Sequence, residues 1–310
     1  MIDLRPINQT KLFGLEKVIS ELIKLDLKNN LPNKILLSSQ KGLGKSTLAY
    51  HFINYALSKD ENFKYDIKNF LINPNNSSFK TVINKSNPNL ILIDVSLEKK
   101  NIEINQIREL ISVLNKSTFN KKPRFILIDN IELLNTNSVN ALLKILEEPN
   151  DNVHFILINN NKKILQTLLS RCINFNISLT NKDNLIIANQ LLEGKLNELI
   201  NHDLINYYST PGNIYKLVEF GQINNYDLAN LDLKEFLKII IKNNHYKKDK
   251  FIKYLIFDFV EFYFSKINFF ISSKIRNKYS YFIKRISDTR KFNLDEESLF
   301  IEFEEEILNG

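Results

Sequence analysis

Several side chains suited to phosphate chemistry lie in one stretch near the amino terminus, from Lys34 to Ala49. A short apolar run, Ile35 to Leu37, precedes a small glycine-rich segment, and a helix-like pattern then opens at Lys45. In a strand, glycine loop and helix of this kind, backbone N–H groups and the helix amino terminus face an anion. The stretch therefore predicts a site for nucleotide phosphates.

The loop follows the pattern G-x-x-x-x-G-K-[ST] except at its first position, where Ser39 replaces glycine. Lys45 can reach terminal phosphates, and the Ser46 hydroxyl can ligate Mg²⁺. ATP and Mg²⁺ are therefore the expected ligands, with a chance glycine turn before a helix as the alternative. The predicted nucleotide-binding residues of the loop are Ser39, Gly42, Leu43, Gly44, Lys45, Ser46 and Thr47.

A second group of polar residues follows the apolar run that begins at Arg124. Asp129 ends that run and can hold Mg²⁺ together with Ser46. An Asp that only caps the following turn is the alternative. Hydrolysis of ATP also needs a group that activates water, and the neighbour Asn130 cannot take a proton. Glu132 lies beyond the expected strand end, so the sequence predicts ATP binding with negligible hydrolysis.

The elements that must position these residues alternate between strand and helix up to Leu179. Apolar runs predict five strands, and helical spacing predicts the helices between them. The fold class predicted is therefore α/β, with a parallel sheet covered on both faces. The predicted strands are Ile35–Leu37, Leu90–Val95, Arg124–Asp129, Val153–Ile158 and Ile173–Leu179, and the main helices are Leu15–Leu27, Lys45–Ser58, Glu103–Leu114 and one capped by Asn135 and ended by Pro149.

After Thr180 the strand patterns stop and helical patterns continue to the end. Three short helices are predicted at Asp183–Leu192, Leu196–Tyr208 and Asn213–Phe220. From about Asn224 the chain is helical and rich in Phe and Tyr. This change divides the sequence into three expected domains: a nucleotide-binding domain at 1–179, a small helical domain at 180–223 and an all-helical domain at 224–310.

Composition narrows the class of protein only broadly. The net charge of +7 permits contact with a nucleic-acid backbone but also suits an ordinary soluble protein. A single cysteine, Cys172, excludes an internal disulfide. The amino terminus has no apolar signal region, and the longest apolar tract, 251–271, carries four charges at Lys253, Asp258, Glu261 and Lys266. A cytoplasmic protein with no membrane span is expected.

Five segments carry a resemblance to a known family. The sequence resembles the AAA+ clamp-loader family of bacterial DNA polymerase III, and within it the delta prime subunits. The most specific match is the run from Asn140 to Pro149, since unrelated P-loop proteins do not need it. The resemblance covers Leu12 to about Phe220, and beyond it only helicity agrees. The matching segments are Asn87–Leu90, Ile102–Leu110, Ile128–Glu132, Asn140–Pro149 and Ser170–Cys172.

The resemblance implies an AAA+ module, a helical lid and a helical collar that joins subunits in a hetero-pentameric ring. It makes Arg171 an arginine finger for the neighbouring subunit's ATP, where a guanidinium would stabilise charge on the γ-phosphate. An arginine simply paired with a carboxylate at a strand start is the alternative. It also places a γ-phosphate sensor at Asn159 or Asn160. The implied partners are delta and gamma/tau subunits and, through the complex, the sliding clamp and primed DNA.

Two departures from the family pattern bear on function. The cysteines with which many members bind zinc are absent, so no zinc is expected. The segment Ser209–Ile214, where motor subunits carry a lid arginine, has none. The sequence therefore predicts a largely non-motor subunit that helps load the sliding clamp during replication. The main alternative is an active, gamma/tau-like ATPase of the same loader.

More distant alternatives were an unrelated P-loop protein, such as a small-molecule kinase, and a direct DNA-binding module. The Asn140–Pro149 run and the Ser170–Cys172 motif argue against the first, and no aromatic and basic stripe supports the second. The aromatic tract 251–271 has two compatible interpretations. It is an internal helix of a bundle, with a polar line at Asp258, Glu261, Ser265 and Asn268, or a surface that contributes to a collar.

Overall fold

The computed structural model describes residues 3–96, 99–115, 120–147, 152–207, 209–267, 273–292 and 294–309. The chain forms two compact units, one of residues 1–187 and 210–212, the other of residues 188–209 and 213–310. The expected boundary at 179/180 falls inside the first unit, and the expected boundary at 223/224 has no counterpart in this division. The partition into three domains stays a prediction.

The first unit is built around five parallel strands in the order β2-β3-β4-β1-β5. The α/β prediction with a parallel sheet is confirmed. The strands are β1 (Lys34–Ser38), β2 (Leu90–Ile93), β3 (Arg124–Ile128), β4 (Val153–Asn159) and β5 (Ile173–Asn176). The helices of this part of the chain are α1 (Glu16–Leu27), α2 (Lys45–Leu57), α3 (Ser77–Ile83), α4 (Ile104–Leu114), α5 (Thr136–Glu147), α6 (Gln166–Leu169) and α7 (Asn181–Leu191).

Alternating side chains of β1 pack into two separate cores, one on each face of the sheet. Ile35 and Leu37 share a buried cluster with residues of α1 and α2. Leu36 lies in the second cluster, with residues of α4 and α5. Because both faces of the sheet are buried, the central strands are continuous apolar runs rather than alternating ones. Each fully buried Leu or Ile side chain stabilises the fold by about 1.5–3 kcal/mol.

Several element ends differ from those expected. β2 ends at Ile93, which leaves Asp94 in the loop beyond it, and β5, an exposed edge strand, ends at Asn176. The start of α3 is fixed by Asn76, whose side chain accepts a hydrogen bond from the Phe79 amide. The expected cap at Asn135 is confirmed, because its Oδ1 accepts from Ser138 N at 2.8 Å. Pro149 lies outside the described residues.

The second unit is helical and has an aromatic core. Its helices are α8 (Leu196–Leu199), α9 (Pro211–Ile223, which starts in the first unit), α10 (Leu233–Lys242), α11 (His245–Lys248), α12 (Lys250–Ile267), α13 (Ser273–Phe292) and α14 (Glu296–Phe303). Phe264 of α12 is buried, with edge-to-face or tilted contacts to Phe282 and Phe303. Edge-to-face packing of this kind adds about 0.5–1.5 kcal/mol per pair to area burial.

The aromatic tract therefore forms an internal helix, as one interpretation predicted, while its role in a collar stays a prediction. Its last residues, including Asn268, lie outside the described residues, as does Tyr208. Within the described ranges, none of the helices has the length and apolarity needed to cross a bilayer.

Candidate nucleotide-binding site

The loop between β1 and α2 has the backbone shape that the sequence predicts. Gly42 and Gly44 have φ angles of 91° and 85°, in the left-handed region that favours glycine. Gly44 is the N-cap residue of α2, a helix of 13 residues. The first amides of α2, in the turn that holds Ser46 and Thr47, therefore face the loop with no partner inside the helix. Leu43 between the glycines is buried and anchors the loop.

The Lys45 side chain folds back over the loop. Its Nζ donates to Ser39 O at 2.9 Å, Ser39 Oγ at 3.1 Å and Gln40 O at 2.9 Å. Burial lowers the pKa of Lys45 to about 8, and the carboxylates of Asp129 and Glu132 oppose that shift. Ser39 thus departs from the glycine pattern but supplies a hydroxyl that helps to hold the lysine.

Ser46 and Asp129 come together as expected. Ser46 Oγ donates to Asp129 Oδ2 at 2.6 Å, and the other carboxylate oxygen accepts from Asn130 N at 2.8 Å. Burial raises the pKa of Asp129, while the hydrogen bond from Ser46 lowers it. A hydroxyl and a carboxylate are hard oxygen ligands of the type that Mg²⁺ prefers, so the donor set fits that ion.

Of the two expected sensor residues, Asn160 joins the site and Asn159 closes a turn. The Asn159 side chain exchanges hydrogen bonds with the backbone of Lys162, and its carbonyl accepts from Ser39 N. Asn160 Nδ2 donates to Asn130 Oδ1 at 2.8 Å and to Glu132 Oε1 at 2.9 Å. The Asn159 side chain is therefore occupied, and the Asn160 amide links two residues that follow β3.

Sequence reasoning did not place Glu132 in this site. Asn130 has a left-handed backbone, with φ of 56°, and a 3-10 turn from Ile131 to Leu133 follows it. The turn directs Glu132 back toward the end of β4, where its Oε2 also accepts from Asn160 N at 3.3 Å. The only signal in the sequence is the Asn itself, a residue type that tolerates this conformation.

Sequence reasoning also missed two residues of the first unit: Thr210, directly before α9, and Gly212, in its first turn. Thr210 Oγ1 donates to Lys41 O at 2.9 Å, and Gly212 N donates to Gly42 O at 3.0 Å. A β-carbon on Gly212 would lie 2.9 Å from Gly42 O, which leaves room only for glycine. These two bonds fix the tip of the phosphate-binding loop.

Arg171 lies at the other end of the sheet from this loop. It precedes β5, whose first residue Ile173 pairs with Ile35 at the start of β1, whereas the loop follows the end of β1. Its Nη2 donates to Glu147 Oε1 at 2.7 Å and its Nη1 to Thr167 O at 2.8 Å. The side chain is 33% exposed. Arg171 is thus paired with a carboxylate and remote from the loop of its own chain.

No group of three or more His, Cys, Asp or Glu side chains gathers as a metal site among the residues that the structure describes. Cys172 is a half-buried free thiol, and burial raises its pKa to about 11. A thiol with a raised pKa is a weak metal ligand, since the thiolate is the form that binds. The expected absence of zinc stays a prediction.

A family model described as DNA polymerase III, delta subunit, matches residues 14–181. The chain is 32% identical over 161 residues to a DNA polymerase III subunit delta' of Buchnera aphidicola from Baizongia pistaciae, a match that spans 50% of this chain and 46% of that protein. It is 31% identical over 172 residues to a Mycoplasma genitalium subunit gamma/tau, covering 55% of this chain and 27% of the relative.

A longer match joins the chain to a second delta' protein, from the Buchnera aphidicola of Schizaphis graminum. The two are 27% identical over 276 residues, which span 81% of this chain and 78% of that relative. Among solved structures, a gamma subunit-related protein of Thermotoga maritima aligns over 93% of this chain and 95% of its own, with a TM-score of 0.42 and 15% identity.

Proposed function

Because the chain belongs to the DNA polymerase III delta subunit family, we propose that it serves as a delta prime-like subunit of the clamp loader. In this role it is a largely non-motor member of the ring and helps to load the sliding clamp onto primed DNA. The observation that carries the proposal is the extent of the match. One delta' relative aligns over 78% of its own length, whereas the gamma and gamma/tau relatives compared align over 24% to 48% of theirs.

The first unit binds ATP with Mg²⁺ in this proposal. Lys45 faces the terminal phosphates once it leaves its backbone partners at Ser39 and Gln40, and Ser46 and Asp129 hold the ion. Asn160 lies where a polar group can bind the γ-phosphate. Bound Mg²⁺ would supply charge neutralisation at the phosphates. The geometry of the loop and the oxygen donors at its end support this assignment.

Arg171 acts on a neighbouring subunit's nucleotide in the same proposal. Its distance from the loop of its own chain supports a role in trans, and its pairing with Glu147 keeps the guanidinium folded until a better anion is presented. The neighbours are delta and gamma/tau subunits in a hetero-pentameric ring. The helical part of the chain supplies the collar.

A gamma/tau-like motor is the second candidate, because Lys45, Ser46, Asp129 and Asn160 are all present. Reconstitution with delta, gamma/tau, the sliding clamp and primed DNA separates the two. The proposal expects clamp loading only when this chain is added, and expects Lys45→Ala to reduce loading far less than the corresponding lysine change in gamma/tau. Loading without this chain, or equal losses from the two lysine changes, would contradict it.

A further inference from the structure

Hydrolysis of ATP is commonly assisted by a carboxylate that takes a proton from the attacking water, and Asn130 cannot take a proton. We propose that Glu132 is the water-activating carboxylate of this nucleotide site, so that the chain hydrolyses the ATP it binds, slowly, on its own. This inference rests on the proposed nucleotide site but goes beyond the largely non-motor role.

The backbone after β3 places Glu132 rigidly. The left-handed Asn130 turns the chain, Leu133 N donates to Asn130 O at 2.8 Å, and Ile131 is 2% exposed in the core beneath. The hydrogen bond at Leu133 and the buried Ile131 hold the backbone on both sides of Glu132, and so fix the position of its Cα. Glu132 is therefore held by the fold, although it stands three residues after Asp129 in sequence.

Asn160 then holds the carboxylate at the end of β4. It donates to both Glu132 oxygens, and it directly follows β4, the strand between β1 and β3. Asn159 at the end of β4 pairs with Ser38 at the end of β1, so Asn160 stands next to the start of the loop. The Glu132 charge also acts on Lys45, whose pKa it raises against the effect of burial. Glu132 thus lies beside Asn160, at the end of the strand next to β1, and its charge acts on Lys45.

Asp94 is the other carboxylate near Asn130, and it is a poorer candidate. It follows β2, the edge strand on the far side of β3 from β4. Its Oδ1 accepts from Val95 N at 2.7 Å and from Asn130 Nδ2 at 2.8 Å, and the residue is exposed. Asp94 is not among the charges that act on the Lys45 pKa, whereas Glu132 is. Asp94 is therefore a poorer candidate than Glu132, but its bond to Asn130 and the action of its charge on Asp129 keep it close to the site. The matched control is instead Glu109, an exposed glutamate on α4.

The chemical step balances with water as the second reactant. Glu132 accepts a proton from a water molecule as the water oxygen bonds to the γ-phosphorus. The bond from that phosphorus to the β–γ bridging oxygen breaks, and ADP leaves with the electron pair. Glu132 then returns the proton to the released phosphate. Turnover is slow because no arginine of the segment 209–214 stabilises the transition state.

The test uses the full chain and measures two quantities separately: ATP affinity by calorimetric titration, and phosphate release from radiolabelled ATP at saturation. The variants are Glu132→Gln, Lys45→Ala and the control Glu109→Gln, at an exposed glutamate of α4. Glutamine keeps an oxygen that can accept from Asn160, so it tests charge and basicity rather than folding. Removal of a general base costs typically about 10²–10⁴-fold in rate.

The expected result has three parts. Wild type releases phosphate above the Lys45→Ala background, and Glu132→Gln loses at least about 100-fold or falls to that background. The ATP affinity of Glu132→Gln is unchanged or higher, because a negative charge facing the phosphates is gone. Glu109→Gln keeps wild-type turnover and affinity.

Three results would overturn the inference. The first is full turnover in Glu132→Gln, and the second is turnover in wild type no higher than in Lys45→Ala despite measurable ATP binding. The third is a large loss of affinity in Glu132→Gln, which would indicate a structural role. An absence of ATP binding by wild type would overturn the proposed nucleotide site as well, and the titration distinguishes that failure from the others.

Discussion

The Arg171 guanidinium forms an ion pair with the Glu147 carboxylate, with 2.7 Å between Nη2 and Oε1. Glu147 is the last described residue of α5, and Arg171 lies between α6 and β5. The two side chains are 33% and 54% exposed. An exposed pair of this kind contributes well under about 1 kcal/mol to the free energy of unfolding. The pairing is therefore weak enough to exchange for a phosphate on another subunit.

Arg171→Ala should leave the folding of this chain and its own ATP affinity nearly unchanged. It should slow ATP hydrolysis by the neighbouring subunit on the order of tens-fold or more, because an arginine finger acts on transition-state charge. The measurement is ATPase and clamp loading in the assembled ring on primed DNA. Arg108→Ala, an exposed arginine on α4, is the matched control. Unchanged rates in an intact ring would remove Arg171 from the neighbour's site.

ATP affinity should fall as the pH rises through about 8. Burial lowers the pKa of Lys45 to about 8 in the free chain, so the ammonium that attracts phosphate loses its proton above that pH. One linked proton gives a slope of up to about tenfold in Kd per pH unit. ATP titrations at several pH values between about 7.5 and 9.5 measure this slope. Lys45→Met should bind more weakly at pH 7.5 and show no such slope, and an equal slope in that variant would assign the dependence to another group.

Asp129→Asn should abolish the Mg²⁺-dependent part of ATP binding. The carboxylate that accepts from Ser46 at 2.6 Å is a charged oxygen ligand directly beside the loop. In EDTA the variant should bind ATP as well as wild type or better, because it has lost a negative charge near the phosphates. Titrations with and without Mg²⁺ give the ratio of the two Kd values. Asp60→Asn, at an exposed aspartate after α2, should leave that ratio unchanged, and a normal ratio in Asp129→Asn would rule out the assignment.

Gly212→Ala should weaken ATP binding and reduce the free energy of unfolding by about 1–3 kcal/mol, the range for overpacking. The added carbon would lie 2.9 Å from Gly42 O and 3.0 Å from Gly42 Cα, both of them backbone atoms with little freedom to move. Thr210→Val removes the bond to Lys41 O and should cost about 0.5–1.5 kcal/mol. Urea unfolding and ATP titration measure both effects. Thr81→Val is the control, because that hydroxyl donates to Ser77 O of its own helix and accepts from Asn87 Nδ2, away from the phosphate-binding loop. Equal effects in all three variants would argue against a special role for the contact.

The sequence is sufficient to predict strands and loop residues where the local pattern and the tertiary structure agree. β3 and β4 are buried, so their apolar runs are clear in the sequence. Asp129 and Asn160 directly follow these strands, and Asn160 is one of the two sensor positions that the sequence offered; their roles stay predictions. The loop glycines were also predicted, since their backbone angles exclude side chains. These features depend on residues adjacent in sequence.

It was insufficient where the position of a residue depends on a turn or on a distant segment. Glu132 was judged too far from the strand end because the left-handed Asn130 cannot be read from composition alone. The pairing of Arg171 with Glu147 and the contact of Gly212 with Gly42 join residues 24 and about 170 positions apart. No periodic pattern in the sequence predicts either pairing.

The bonds from Thr210 and Gly212 to the phosphate-binding loop also determine when, during synthesis of the chain, the loop can complete its hydrogen bonds. Thr210 and Lys41 are 169 residues apart in the chain. At a synthesis rate of about 5–20 residues per second, the loop waits roughly 10–30 s after it leaves the ribosome before its last hydrogen-bond donors exist. During that interval the sheet can assemble from β1 to β5, while Lys41 and Gly42 keep water as their partner. Nascent chains cut short before residue 210 therefore carry a complete sheet with an unfinished loop.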